Sequence, residues 1–185
     1  MSYLSKRQLH KIEFKYLGNE VLISNFASLH KSELMSIGDR SRVDDFCALS
    51  GHVEIGKNVH IAVHNSITAS KEAALLDDFS GLAMGCHLFT SSDDYSGVTL
   101  TNPTVSNEFK SIEHGVIHLE RHVIIGAGSV VFPGVQLAEG CSFGAFSLIN
   151  KSTSAWGIYR GIPAKRVGER SMDLLKLETE YLDSI

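Results

Sequence analysis

The chain has no apolar run approaching the length of a membrane span, and no apolar stretch near its N-terminus of the kind a secretory signal needs. It also lacks a concentration of one charge. Its 17 Lys and Arg stand against 21 Asp and Glu, for a net charge of -4, and the basic residues are scattered. That distribution speaks against a general nucleic-acid or membrane-surface binder and leads us to expect a soluble cytoplasmic protein. Cysteine is scarce: Cys47, Cys86 and Cys141 are odd in number and far apart, which argues against a disulfide framework, a metal site or a thiol nucleophile and for simple packing. With 185 residues, 43% of them hydrophobic, the chain is long enough for one domain with terminal additions.

What is present is a repeat. Aliphatic residues fall at Ile37, Val43, Leu49, Ile55, Ile61 and Ile67, a period of six that fits neither a helix nor an ordinary strand. Four positions after each comes a small or medium residue, Ser41, Cys47, Val53 and Val59, with Asn65 as the exception. Such a unit makes a short strand with its aliphatic residue inward and its small residue in a tight corner. Three units close a triangular coil, and residues eighteen apart stack in parallel strands. All three cysteines fall at corner positions.

The register slips by three after Ile67 and resumes at Leu76, Leu82 and Leu88, so a bulge is expected near 70–74. It stops over 93–113, a polar stretch expected to protrude as a functional loop, and resumes from Leu119 to Ile149. Ser5 with Gln8 predicts a capped helix, followed by an irregular first coil over 21–29 that closes the open end of the prism. The tail, with Leu174, Leu175, Leu177, Tyr181 and Leu182 among charges, reads as a helix packed on the barrel or on a neighbour. The expected organisation is a cap over 1–36, the coils over 37–155, and an exit loop and helix over 156–185.

The hexads, the loop and the ending GIPAKRV resemble the hexapeptide-repeat acyltransferases, which implies an all-β, left-handed parallel β-helix. More narrowly, VDDFC at 43–47, SDDYSG at 92–97, TNP at 101–103, HVIIGAGSVVFPGV at 122–135 and WGIYRGIPAKR at 156–166 resemble the sugar acetyltransferases of O-antigen biosynthesis. The likeness is to those that N-acetylate a dTDP-4-amino-4,6-dideoxyglucose, with galactoside-type O-acetyltransferases next. It implies acetyl-CoA as donor, no metal, a nucleotide sugar as acceptor and a homotrimer with active sites at subunit interfaces.

Acetyl transfer from a thioester needs a base, donors for the developing oxyanion and a groove for the pantetheine arm. In the galactoside and maltose enzymes the catalytic histidine follows the last strand before the loop. The corresponding place here is Asp93, one catalytic candidate, so either the base comes from elsewhere or the acceptor is an amine that needs less help than a hydroxyl. His60 is the preferred base: it faces outward and stands eighteen residues after Arg42. Asp44 and Asp45 are positioned to orient it or to hold an ammonium group, and Asp94, Tyr95 and His87 complete the substrate-binding candidates.

For CoA, the small residues Gly126, Ala127, Ser129, Gly144 and Ala145 form a shallow track, and the resemblance puts the nucleotide end near Lys151, Ala164, Lys165 and Arg166. Three other readings compete: a sugar or glycolipid O-acetyltransferase, a γ-class carbonic anhydrase using His87, His118 and His122, and a non-catalytic trimeric scaffold.

Overall fold

The computed structural model describes residues 2–185. The chain winds into the left-handed parallel β-helix expected of the hexads, with three ladders of short strands. On the first ladder Leu17, Ile37, Ile55, Leu76, Leu119 and Leu137 lie in register. The second stacks Ile23, Val43, Ile61, Leu82, Ile125, Phe143 and Tyr159. Leu29, Leu49, Ile67, Leu88, Val131 and Ile149 form the third. These side chains fill the prism, and most are wholly buried. Burying one such residue stabilises the fold by about 1.5–3 kcal/mol, and a single coil would expose most of that surface.

The corners explain the small residues. Ser41 donates through Oγ to Gly56 O at 2.7 Å and accepts from Val59 N–H at 3.0 Å, so one hydroxyl satisfies two buried backbone groups. Asn65, the exception in the repeat, does more. Its Nδ2 donates to Ala62 O (2.7 Å) and Ala83 O (3.0 Å), and its Oδ1 accepts from Cys86 N–H (2.8 Å). All three cysteines are free and buried.

The slip near 70–74 is a bulge in the long strand Ser66–Leu76. Gly51 pairs with Ala69 but Val53 with Ala74, so three extra residues are accommodated there. Thr90 pins them by accepting from Ser70 N–H at 3.0 Å and donating to Glu72 O at 3.1 Å. Gly51 is required opposite: at φ 83°, a Cβ would sit 1.7 Å from Ala69 O.

Two expectations change at the ends. The first coil is regular, with Leu22 paired to Arg42 and Ser28 to Ala48, and the ladders already begin at Tyr16–Leu17. Helix α1 (Lys6–Leu9) carries the capping box of Ser5 and Gln8 and buries Leu9 against that coil. The last rung, Gly157–Arg160, lies beyond residue 155 and pairs antiparallel with Lys165–Glu169. Helix α2 (Leu174–Asp183) docks on the prism through Glu178, which pairs with Arg121 and His122, and through Tyr181, whose hydroxyl donates to Asn58 Oδ1 at 3.1 Å. Its Leu177 and Leu182 remain exposed.

Candidate active site

Parallel stacking makes Arg42 and His60 register partners on the outside of the second face. Asp44, one residue beyond the strand, turns between them. His60 Nε2 lies 2.8 Å from Asp44 Oδ2 and 2.8 Å from Arg42 Nη2, while Arg42 Nε sits 3.0 Å from Asp44 Oδ1. Asp44 is only 2% exposed and His60 47% exposed, so the carboxylate forms a fixed floor beneath an accessible imidazole. At Nε2 Arg42 can only donate and Asp44 only accept, so the two contacts favour opposite tautomers; in the one that gives the Nε2 proton to Asp44, Nδ1 carries the lone pair and can take a proton from an acceptor.

Two residues from the N-terminal end join these carboxylates. Tyr3, ahead of helix α1 and bridged to Ser24, reaches Asp44 Oδ1 through its hydroxyl at 3.4 Å, and Ser24 Oγ of the first coil donates to Asp45 Oδ1 at 2.5 Å. Sequence reasoning missed both, because it treated that coil as irregular and its register to Asp44 was hidden.

The loop forms a second cluster. Ser91–Asp93 pairs antiparallel with Ile112–His114 as a stem leaving the third face, and a cavity of about 340 Å³ at its base is lined by Ser92, Asp93, Asp94, Tyr95, Glu113 and Phe132. Asp93 accepts from Asn102 N–H at 3.0 Å. Asp94 accepts from Ser96 N–H and Ser96 Oγ, both at 2.8 Å, and from Thr99 Oγ1 at 3.2 Å; the Ser96 amide foremost holds its carboxyl below the usual range. Tyr95 is 89% exposed. His87, outward on the third face, places Nδ1 2.7 Å from Ser66 Oγ. Within one chain His60 and Asp93 therefore belong to different faces. No hydrogen bond or ion pair joins them among the described residues.

The small-residue track lies at the corner between the second and third faces. Gly126 is dictated by stacking, since a Cβ there would come 2.5 Å from Ala145 N; Ala127 and Ala145 flank it on the outside, with Gly144 exposed in the coil above. Ser129 sits at the corner itself, buried, with Oγ donating to Gly126 O (2.7 Å) and accepting from Ser147 N–H (3.1 Å), so its side chain builds the corner and leaves only its main chain to the track. Ala164 anchors the exit by donating N–H to Leu148 O at 2.8 Å, with Lys151 and Lys165 exposed nearby in sequence and Arg166 paired to Glu169 at 2.7 Å.

Burial pushes the Cys47 and Cys86 thiols up, which disfavours thiolate chemistry at either. His118 is engaged by Asp77 at 3.0 Å and His122 by Glu178 at 2.8 Å, so two of the three histidines of the carbonic anhydrase reading have carboxylate partners, while His87 faces the Ser66 hydroxyl.

Comparison with known proteins bears on this arrangement. No protein-family model matches the chain. It is 38% identical over 187 residues to the dTDP-4-amino-4,6-dideoxy-D-glucose acyltransferase of Escherichia coli, covering 100% of this chain and 97% of that one. Among solved structures it is similar to a variant of AntD, an N-acyltransferase from Bacillus cereus in complex with dTDP and coenzyme A, with a TM-score of 0.99, 37% identity and 100% coverage of both chains. AntD in complex with dTDP and 3-hydroxybutyryl-CoA matches with a TM-score of 0.98 and 38% identity, over 99% of this chain and 97% of that one.

Proposed function

Because this chain belongs to the family of the dTDP-4-amino-4,6-dideoxy-D-glucose acyltransferases, we propose that it transfers the acetyl group of acetyl-CoA to the amino nitrogen of a dTDP-linked amino deoxysugar. The observation that carries this reading is full-length likeness to an N-acyltransferase solved with dTDP and CoA, combined with an accessible imidazole on a buried carboxylate. The product would serve O-antigen or lipopolysaccharide assembly in the cytoplasm.

In the proposed reaction the neutral amine attacks the thioester carbonyl, forming the C–N bond. The tetrahedral intermediate then collapses with cleavage of the C–S bond. The proton leaving nitrogen passes to Nδ1 of His60 and on to the departing thiolate, while Asp44 holds the ring and accommodates the transient imidazolium. Asp93 and Asp94 hold the amino group, with Arg42, Asp45, Tyr95 and His87 around the acceptor. CoA lies along Gly126, Ala127, Gly144 and Ala145, with its phosphates toward Lys151, Lys165 and Arg166 beside Ala164. A homotrimer would set the loop of one copy against the second face of the next, which is what His60 and Asp93 need to serve one substrate.

The test is thiol release from acetyl-CoA, followed with a chromogenic disulfide, against dTDP-4-amino-4,6-dideoxyglucose and its 4-hydroxy counterpart. Release with the amine alone is expected. Release with the hydroxyl sugar alone would make the chain an O-acetyltransferase. Running 3-hydroxybutyryl-CoA in parallel reports the donor preference, and light scattering reports the trimer.

A further inference from the structure

A line of side chains climbs the corner between the second and third faces, and one hydrogen bond recurs along it. His64 N–H donates to Asp45 O (3.1 Å), Gly85 to Val63 O (3.1 Å), Gly128 to Met84 O (2.9 Å) and Phe146 to Ala127 O (2.8 Å). Phe46, His64, Gly85, Gly128 and Phe146 thus form one column, each with positive φ. At its foot the rings of Phe26 and Phe46 stack at 5.5 Å, and those of Phe46 and His64 at 5.0 Å. All three side chains are exposed.

Above His64 the stack breaks. A Cβ on Gly128 would lie 2.5 Å from the Phe146 ring, so that ring folds down to cover the Gly128 rung. A Cβ on Gly85 would meet nothing within 4 Å outside its chain neighbours. One rung between the imidazole and the Phe146 ring is therefore open. The corner between the first and second faces shows the closed alternative. There Phe79 and His122 stack at 5.4 Å, and the one glycine above them, Gly140, is roofed by Trp156, whose ring a Cβ would meet at 2.4 Å.

We propose that the open rung over Gly85 is a stacking slot for the thymine base of the dTDP-linked substrate, held between His64 and Phe146. The proposal rests on the function given above. Successive rungs of a parallel sheet lie about 4.8 Å apart, close to the ring spacings already present, so one planar ring over Gly85 continues the stack. A side chain on Gly85 would fill the slot, which gives its glycine a purpose beyond turn geometry. The base of CoA is the competing occupant, since the C-terminal exit bonds Leu148, two residues from Phe146. Arg42, Asp44 and His60 border the same coils as Phe46 and His64.

Calorimetric titration of the full chain with dTDP, and separately with CoA, tests this in the wild type and in His64→Ala, Phe146→Ala and His64→Phe. Both alanine variants are expected to bind dTDP about tenfold more weakly, within the range for loss of one base–aromatic stack, with CoA affinity unchanged. His64→Phe should retain dTDP. A loss confined to CoA would overturn the thymine assignment in favour of adenine. Undiminished dTDP binding by both alanine variants would overturn the slot alone, and a change only in their oligomeric state would assign the column to a subunit contact instead. A wild type that binds no dTDP overturns the proposed function and the slot with it.

Discussion

Asp44 Oδ2 and His60 Nε2 stand 2.8 Å apart on neighbouring strands, with the carboxylate buried and the imidazole half exposed. A catalytic base needs that asymmetry, because the buried partner fixes the ring while the free nitrogen meets the acceptor. His60→Ala is expected to lower kcat by about 10²–10⁴-fold, the range for loss of general-base catalysis, with little change in the KM for acetyl-CoA. Asp44→Asn should also lower kcat, since its amide can donate to Nε2 and leave the ring's remaining proton on Nδ1, where the base is needed. The variants are to be compared by pH–rate profile. A pH–rate profile of His60→Ala with the same shape as the wild type's would remove His60 from the reaction.

Asn65 is the corner where the repeat pattern and the packing diverge most. Its amide serves two carbonyls and one N–H at that corner. Asn65→Val restores the hexad consensus yet leaves the Cys86 N–H unpaired and the Ala62 and Ala83 carbonyls with only the weak thiol donors of Cys47 and Cys86. It is expected to destabilise the fold by about 3 kcal/mol, a few degrees or more in melting temperature. If thermal unfolding showed Asn65→Val as stable as wild type, backbone satisfaction would not be what holds that corner.

The same corner shows why the fold was legible and parts of the site were not. A straight ladder turns eighteen residues of sequence into one rung of space, so Ile37, Ile55 and the Arg42–His60 pairing could be read directly. Leu17, Ile23 and Leu29 keep the period too. The eight-residue step from Leu29 to Ile37, taken up by the 3-10 turn Ser32–Leu34, breaks the frame and hid the first coil, and with it Tyr3 and Ser24. At Ser129 the sequence shows a small corner residue, and its hydrogen bonds add that the hydroxyl is spent on the corner. The relation of His60 to the loop was not legible, since it depends on faces that one chain keeps apart.

Asp94 ties the loop tip through Ser96 and Thr99, and its carboxyl is held below its ordinary value chiefly by the Ser96 amide. A depressed folded value means the unfolded chain binds the proton more readily. The contribution is therefore complete above the ordinary carboxyl value of 3.8 and lost as pH falls through the lower, folded value. Proteolysis of the loop should accelerate in that acid window, and Asp94→Asn should show the faster rate at neutral pH already. Equal loop protection in wild type and Asp94→Asn at neutral pH would mean that the turn holds without its charge.

Helix α2 hangs on one buried contact. His122 is 7% exposed and Glu178 10% exposed at 2.8 Å, with Arg121 completing the clasp and Arg170 Nη1 donating to His122 O at 2.6 Å. Burial first, then Arg121 and Arg170, push the His122 imidazole below its ordinary 6.5, so the folded protein resists a proton that the unfolded chain accepts. Stability on this account is full above pH 6.5 and declines as the solution is acidified through that value. Glu178 is the anionic neighbour that makes a charged His122 tolerable, so Glu178→Gln should steepen the acid decline. At neutral pH the same variant should cost about 1–3 kcal/mol, because a charged partner of Arg121 and His122 is removed from a largely buried place. Melting curves of wild type and Glu178→Gln between pH 5 and 8 decide it. Parallel curves across that range would show that the helix is held by Tyr181 and Phe79 rather than by the ion pair.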